Sequence, residues 1–217
     1  MRRLIAAILC AACSAGAAAA AEYRLLELGG TLVKWGPAAL GTGAEVSYGF
    51  ARRAGRFPDA INCRAIDPIT RLDVAAAPGF AASVERAFAV WSAAADVTFR
   101  PAGGGETPDI LIGAQGRPDH IAYANVWPAR DRAVAGVAPL KRATICLNPE
   151  LAWVPDDAAP GQADFGTVLA HEIGHALGLD HPGPTGALMG YNDQGDIDAP
   201  MAGDRAGVAR LYGSNNR

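Results

Sequence analysis

Histidine and cysteine are both scarce in this chain, four of each in 217 residues, and only 19% of the side chains are charged. The charge that is present is not basic. Arg2-Arg3, an apolar run from Leu4 to Ala12 and four alanines at 18–21 follow the charged, apolar and small-residue order of a secretory signal, with cleavage expected near Ala21. Loss of residues 1–21 leaves 17 basic side chains against 22 acidic ones, which excludes the electrostatic footprint of a nucleic-acid binder. No later segment has 18 continuous apolar residues, so no membrane span is expected. The sequence has no low-complexity body either. With 50% hydrophobic residues it can bury a sizeable core, and the expectation is one soluble domain over residues 22–217, exported to the periplasm or the extracellular medium and acting as a monomer.

The histidines are as informative in their placement as in their rarity. Three of the four fall within the eleven residues His171-Glu172-Ile173-Gly174-His175-Ala176-Leu177-Gly178-Leu179-Asp180-His181. A spacing of four puts His171 and His175 on one helix face, one turn apart, where both imidazoles reach a single ion. Gly178 is a natural helix stop, since glycine adopts the left-handed conformation that lets the chain fold back, and this brings His181 round as a third ligand. Three protein ligands and an open position mark a catalytic zinc rather than a structural one, which is normally closed by four. Glu172, next to the first ligand, lies beside the metal, placed to hold and deprotonate a water on it. The competing reading is a chance pattern on an apolar core helix, which the full HExxHxxGxxH motif makes a poor fit.

This extended motif, followed eight residues later by Ala187-Leu188-Met189, resembles the metzincin clan of metallopeptidases, and the short interval to the methionine resembles the matrixins within it. In the clan the methionine forms an apolar floor under the metal, the role the resemblance implies for Met189. The likeness extends to Phe80–Ala95, where Phe80, Val84, Ala87, Phe88 and Trp91 form the stripe of an amphipathic helix, and to Asp204 through Leu211-Tyr212-Gly213, which resembles the closing helix. The implied fold is α+β: a twisted, mixed, mostly five-stranded sheet with long helices at about 80–95 and 164–178 and a C-terminal helix. Strands are read at 24–36, 44–50, 96–99, 109–112, 134–139 and 143–147. The implied activity is zinc-dependent endopeptidase, with a protein or peptide substrate extended along residues 134–139 as the sheet edge beside the cleft. The alternative is a catalytically silent binding module of the same fold. A zinc-sequestering exported protein fits worse, since it would want more ligands and no open site.

Several departures from the family qualify the resemblance. Vertebrate matrixins hold a second, structural zinc with histidines on the strands before the active-site helix; here Gly136 and Ile145 lie in the corresponding stretches, and a single catalytic zinc is expected. His120 is read as a surface histidine. No Asp-rich oxygen cage precedes residue 150, so calcium is not expected there, and Asp193, Asp196 and Asp198 are read as solvated. Pro182 is a serralysin-like feature, although the longer loop and glycine-rich repeats of that branch are absent from these 217 residues. Tyr191 stands at the offset where astacins and serralysins place a tyrosine that approaches the zinc and donates to the oxyanion; ordinary packing competes with that role. Cys63 and Cys146 remain after signal cleavage as a candidate disulfide, or as two unrelated thiols. Residues 51–78 form a connection without an evident role.

Overall fold

The computed structural model describes residues 22–183, 186–191 and 197–215. The expected signal segment and Asp193 and Asp196 lie outside these. Among the described residues the strands are, in chain order, β1 Arg24–Leu25, β2 Leu32–Lys34, β3 Ala44–Phe50, β4 Gly55–Arg56, β5 Ala65–Asp67, β6 Val97–Pro101, β7 Ile110–Gln115, β8 Ala122–Pro128, β9 Val137–Leu147, β10 Trp153–Val154, β11 Ala163–Asp164 and β12 Leu179–Asp180. The α-helices are α1 Phe80–Ala94, α2 Phe165–Leu177 and α3 Ala202–Tyr212.

The body is a sheet in the order β6-β3-β7-β9-β8, parallel except for β8, which runs antiparallel at the edge. Short additions extend it: β2 pairs with the start of β9, and the β4–β5 hairpin joins the end of β7. α1 and α2 pack against each other, α2 also against β8 and β9. Each helix follows its residue pattern. The stripe of α1 is buried at Val84, Ala87, Phe88 and Trp91, with Phe80 packed partly buried against the same core. α2 begins where the Asp164 side chain accepts the Thr167 N–H at 2.8 Å and ends at Gly178, in the left-handed conformation with φ 104°.

The expected edge at 134–139 is not an edge. Ala135 and Gly136, both at positive φ, make a tight turn that reverses the chain between Val134 and Val137. From Val137 one continuous strand of 11 residues follows, joining two segments read separately. Its first residues are enclosed by β2 on one side and by the Ala129 N–H, which donates to Pro139 O, on the other. The edge beside the cleft is β8, missed because Ala122-Tyr123-Ala124-Asn125-Val126-Trp127-Pro128 has no continuous apolar signal. Its alternation is real but two-sided: Ala122, Ala124 and Val126 pack toward the main core, while Tyr123 turns to a second cluster around Cys63, Ile66 and Cys146.

Candidate metal centre

Three aromatic side chains fix α2 through its carbonyls. Trp91 Nε1 donates to Ala170 O at 2.8 Å, Trp35 Nε1 to Ala176 O at 2.8 Å, and Tyr212 Oη to Leu177 O at 2.7 Å while accepting the Trp35 N–H. Each ring thus fills core volume and also donates a hydrogen bond to a carbonyl of the helix. Gly174, between the two helical histidines, is needed for space: a Cβ there would overlap Met189 Sδ and stand 2.7 Å from Trp91 Cζ2. Met189 is 1% exposed and lies directly against the ligand-bearing helix.

On this support His171, His175 and His181 converge. Nε2 of His181 is 3.1 Å from Nε2 of His171 and 3.0 Å from Nε2 of His175. The other ring nitrogens of the helical pair are committed: His171 Nδ1 faces Leu188 O at 2.7 Å and His175 Nδ1 faces Leu179 O at 2.9 Å. A carbonyl only accepts, so each Nδ1 carries the hydrogen and each Nε2 presents a bare lone pair. Burial lowers the pKa of His171 to about 4 and of His175 to about 3, with repulsion from neighbouring imidazoles adding to it, so both rings are neutral at pH 7. Lone pairs crowded this closely repel one another unless they share a cation. Tetrahedral zinc with Zn–N bonds of 2.0–2.1 Å sets its ligand nitrogens roughly 3.3 Å apart, close to what is found. The donor set fits zinc, and the carbonyls behind His171 and His175 orient the rings as second partners of metal-bound histidines do.

Glu172 is 6% exposed, and its Oε2 is buried without a hydrogen-bond partner. Burial pushes the carboxyl up to about 8, against the pull of the Ala124 N–H on β8. A carboxyl group with a free oxygen at this depth is costly for folding alone, and is the kind of group a protein keeps for chemistry. Above it runs a cleft of about 1240 Å³ bordered by α2, β8 and the segments carrying His181 and Tyr191.

The remaining residues sort clearly. Tyr191 is 61% exposed, its ring centre 5.9 Å from that of His181. His120 is exposed, stacked on Tyr123 at 5.2 Å. Cys63 and Cys146 are disulfide-bonded, their Cα atoms 6.4 Å apart. Sequence reasoning missed Asp204, which is 1% exposed and accepts the N–H groups of Leu188 at 2.8 Å, Met189 at 3.2 Å and Met201 at 2.8 Å, tying the methionine turn to α3. An acidic residue at the third position of a helix reads as an ordinary capping signal, and nothing local says that it reaches sixteen residues back. It missed Arg24 as well, whose Nε is 3.0 Å from Asp180 Oδ2, beside the third histidine.

Residues 70–213, well over half of the chain, match the family described as matrixin. The chain belongs to the matrixin family. That membership resolves the branch left open by Pro182 and agrees with the α+β fold. Curated relatives carry names of the same kind. The chain is 29% identical over 160 residues to metalloendoproteinase 1-MMP of Arabidopsis thaliana, covering 70% of this chain and 43% of that one. It is 28% identical over 141 residues to matrix metalloproteinase-19 of Mus musculus, covering 64% and 26%. To matrilysin of Rattus norvegicus it is 30% identical over 139 residues, covering 62% and 51%. The matched regions thus span about half or less of these relatives' own lengths. Among the described residues, no helix of this matrixin is long and apolar enough to cross a membrane.

Proposed function

We propose that this matrixin is an exported zinc-dependent endopeptidase, periplasmic or extracellular, acting as a monomer on peptide bonds. The observation that carries the reading is the convergence of three imidazole Nε2 atoms, two of them bare, near a buried carboxyl oxygen that has no partner. His171, His175 and His181 hold one zinc ion. Zinc held there supplies Lewis acidity, lowering the pKa of a water toward about 7 and polarising the scissile carbonyl.

The chain's own residues do the rest. A substrate strand adds to the free edge of β8, so main-chain hydrogen bonds fix its direction over the three histidines. Glu172 Oε2 takes a proton from the attacking water as its oxygen bonds to the carbonyl carbon. The same carboxyl then gives that proton to the amine nitrogen as the C–N bond breaks, leaving a carboxylic acid and an amine, and the acid's remaining proton passes to the amine or to solvent. Met189 supports the metal-bearing helix from below. The Tyr191 phenol, beside His181, is a donor for the oxyanion that develops on the former carbonyl oxygen.

The test is cleavage of casein and of a broad peptide library by residues 22–217, with and without a zinc chelator, alongside metal content by mass spectrometry. One zinc per chain and chelator-sensitive cleavage are expected. One zinc without any cleavage would instead favour the binding-module alternative or a very narrow substrate, and no zinc would overturn the peptidase reading from its first step.

A further inference from the structure

The connection at residues 51–67 reaches the rim of the cleft at Asn62. Its strands β4 and β5 flank a loop at 57–64 that is fastened to the outward face of β8 and β9 at several points. Cys63 is bonded to Cys146 of β9. Asp59 Oδ2 accepts from Trp127 Nε1 of β8 at 2.8 Å and stands 3.7 Å from the Arg142 guanidinium of β9. That guanidinium lies 4.1 Å from the centre of the Trp127 ring and 5.0 Å from that of Phe57. The Asn62 backbone N–H donates to Asn125 Oδ1 of β8 at 3.0 Å. A loop held by a covalent bond, two hydrogen bonds and a stacked cation is pre-organised, so a ligand that meets it orders little additional structure.

At the tip of this loop Ile61 and Asn62 are exposed, and Asn62 borders the same cleft as the histidine triad, together with His120 and Tyr123. A peptide paired along β8 points alternate side chains to opposite faces of the sheet. One set faces α2 and the metal site; the other faces the side where Tyr123 and the loop stand. The family match covers residues 70–213 and does not extend over the loop. We infer that Asn62, at the loop tip, contacts the outward-facing side chains of the substrate strand and selects among them. The inference rests on the peptidase reading and on pairing along β8.

The experiment replaces Asn62 by each sign of charge, Asn62→Lys and Asn62→Asp, in the intact disulfide-bonded chain. Asn62 is exposed and, among the described residues, its one hydrogen bond is through the backbone N–H, so both variants should keep the fold, checked by circular dichroism and by zinc content. Each is profiled against a peptide library carrying Lys, Glu or Gln at every position around the scissile bond. Asn62→Lys is expected to raise kcat/KM for Glu over Lys roughly threefold to fivefold at an outward-facing position, and Asn62→Asp to reverse the preference there, as expected for an exposed charge pair. Positions facing α2 should keep their preferences. Identical profiles for both variants, or shifts confined to positions facing α2, would overturn the assignment while leaving the peptidase reading intact. No cleavage by the unaltered, zinc-loaded chain would overturn both.

Discussion

Glu172→Gln separates chemistry from architecture more sharply than any other single change. Glutamine has the same shape but cannot take up the proton of the attacking water. Loss of a positioned general base costs about 10² to 10⁴ in rate, or roughly 3 to 5 kcal/mol in the barrier. The same change should stabilise the metal-free fold. Glu172 is 6% exposed, its Oε2 has no partner, and burial raises its pKa from 4.5 to about 8, so at pH 7 the metal-free fold must hold it protonated, at a cost of about 3 kcal/mol. The replacing amide is neutral, and its carbonyl oxygen still accepts from the Ala124 N–H that faces this carboxyl. Stability gained with activity lost is the signature of a group kept for function at the expense of the fold. The assay pairs kcat/KM on a fluorogenic peptide with urea unfolding after zinc removal, so that metal binding does not enter the stability difference. Zinc content of the loaded variant should stay at one per chain, since Glu172 is not a ligand. Activity within tenfold of the parent would refute the base assignment; a less stable metal-free variant would refute the view of Glu172 as a buried acid that costs the fold stability.

Three further outcomes test the scaffold. Reduction of Cys63–Cys146, whose residues are 83 apart in sequence, should destabilise the chain by about 4 kcal/mol on the chain-entropy relation, lowering the melting temperature by roughly 10 °C; equal melting with and without reductant would assign the bond no such role. Asp204→Ala strips three backbone N–H groups of their acceptor and should cost about 3 kcal/mol while weakening zinc retention in chelator competition, because Leu188 O also orients His171; unchanged zinc affinity would detach the methionine turn from the metal site. Lys34 is fully buried, with Nζ donating to Trp35 O at 2.7 Å and Pro37 O at 2.9 Å, and burial lowers its pKa from 10.5 to about 8. Between those values the unfolded chain holds a proton that the folded chain has lost, so this group makes stability rise with pH there. Lys34→Met should therefore gain most over the parent below pH 8, by about 3 kcal/mol at most, with the difference shrinking toward pH 10; a difference constant across pH 7 and pH 10 would contradict the buried charge.

What was legible from residues alone is what depends on neighbours along the chain. A spacing of four on a helix and a glycine three residues further on suffice to bring three imidazoles together, because helix period and left-handed glycine are local properties, and α1, α2 and α3 appear within about two residues of the pattern that marks them. The edge of the sheet was not legible. Whether Ala122–Pro128 or 134–139 borders the cleft depends on which strand has hydrogen-bond partners on both sides, and those partners, β2 and the Ala129 N–H, come from distant or unpatterned parts of the chain. The same holds for Asp204 under the methionine turn, Trp35 and Tyr212 on the carbonyls of α2, and the loop at 57–64 on the back of β8. Each is an ordinary residue in sequence whose role is decided by where the fold delivers a polar atom that would otherwise be buried alone. Sequence by itself brought out the three histidines, Glu172 and the class of chemistry they point to; only the tertiary structure decided which edge and which loop border the cleft, because strand order and loop fastening are set by contacts between residues far apart in the chain.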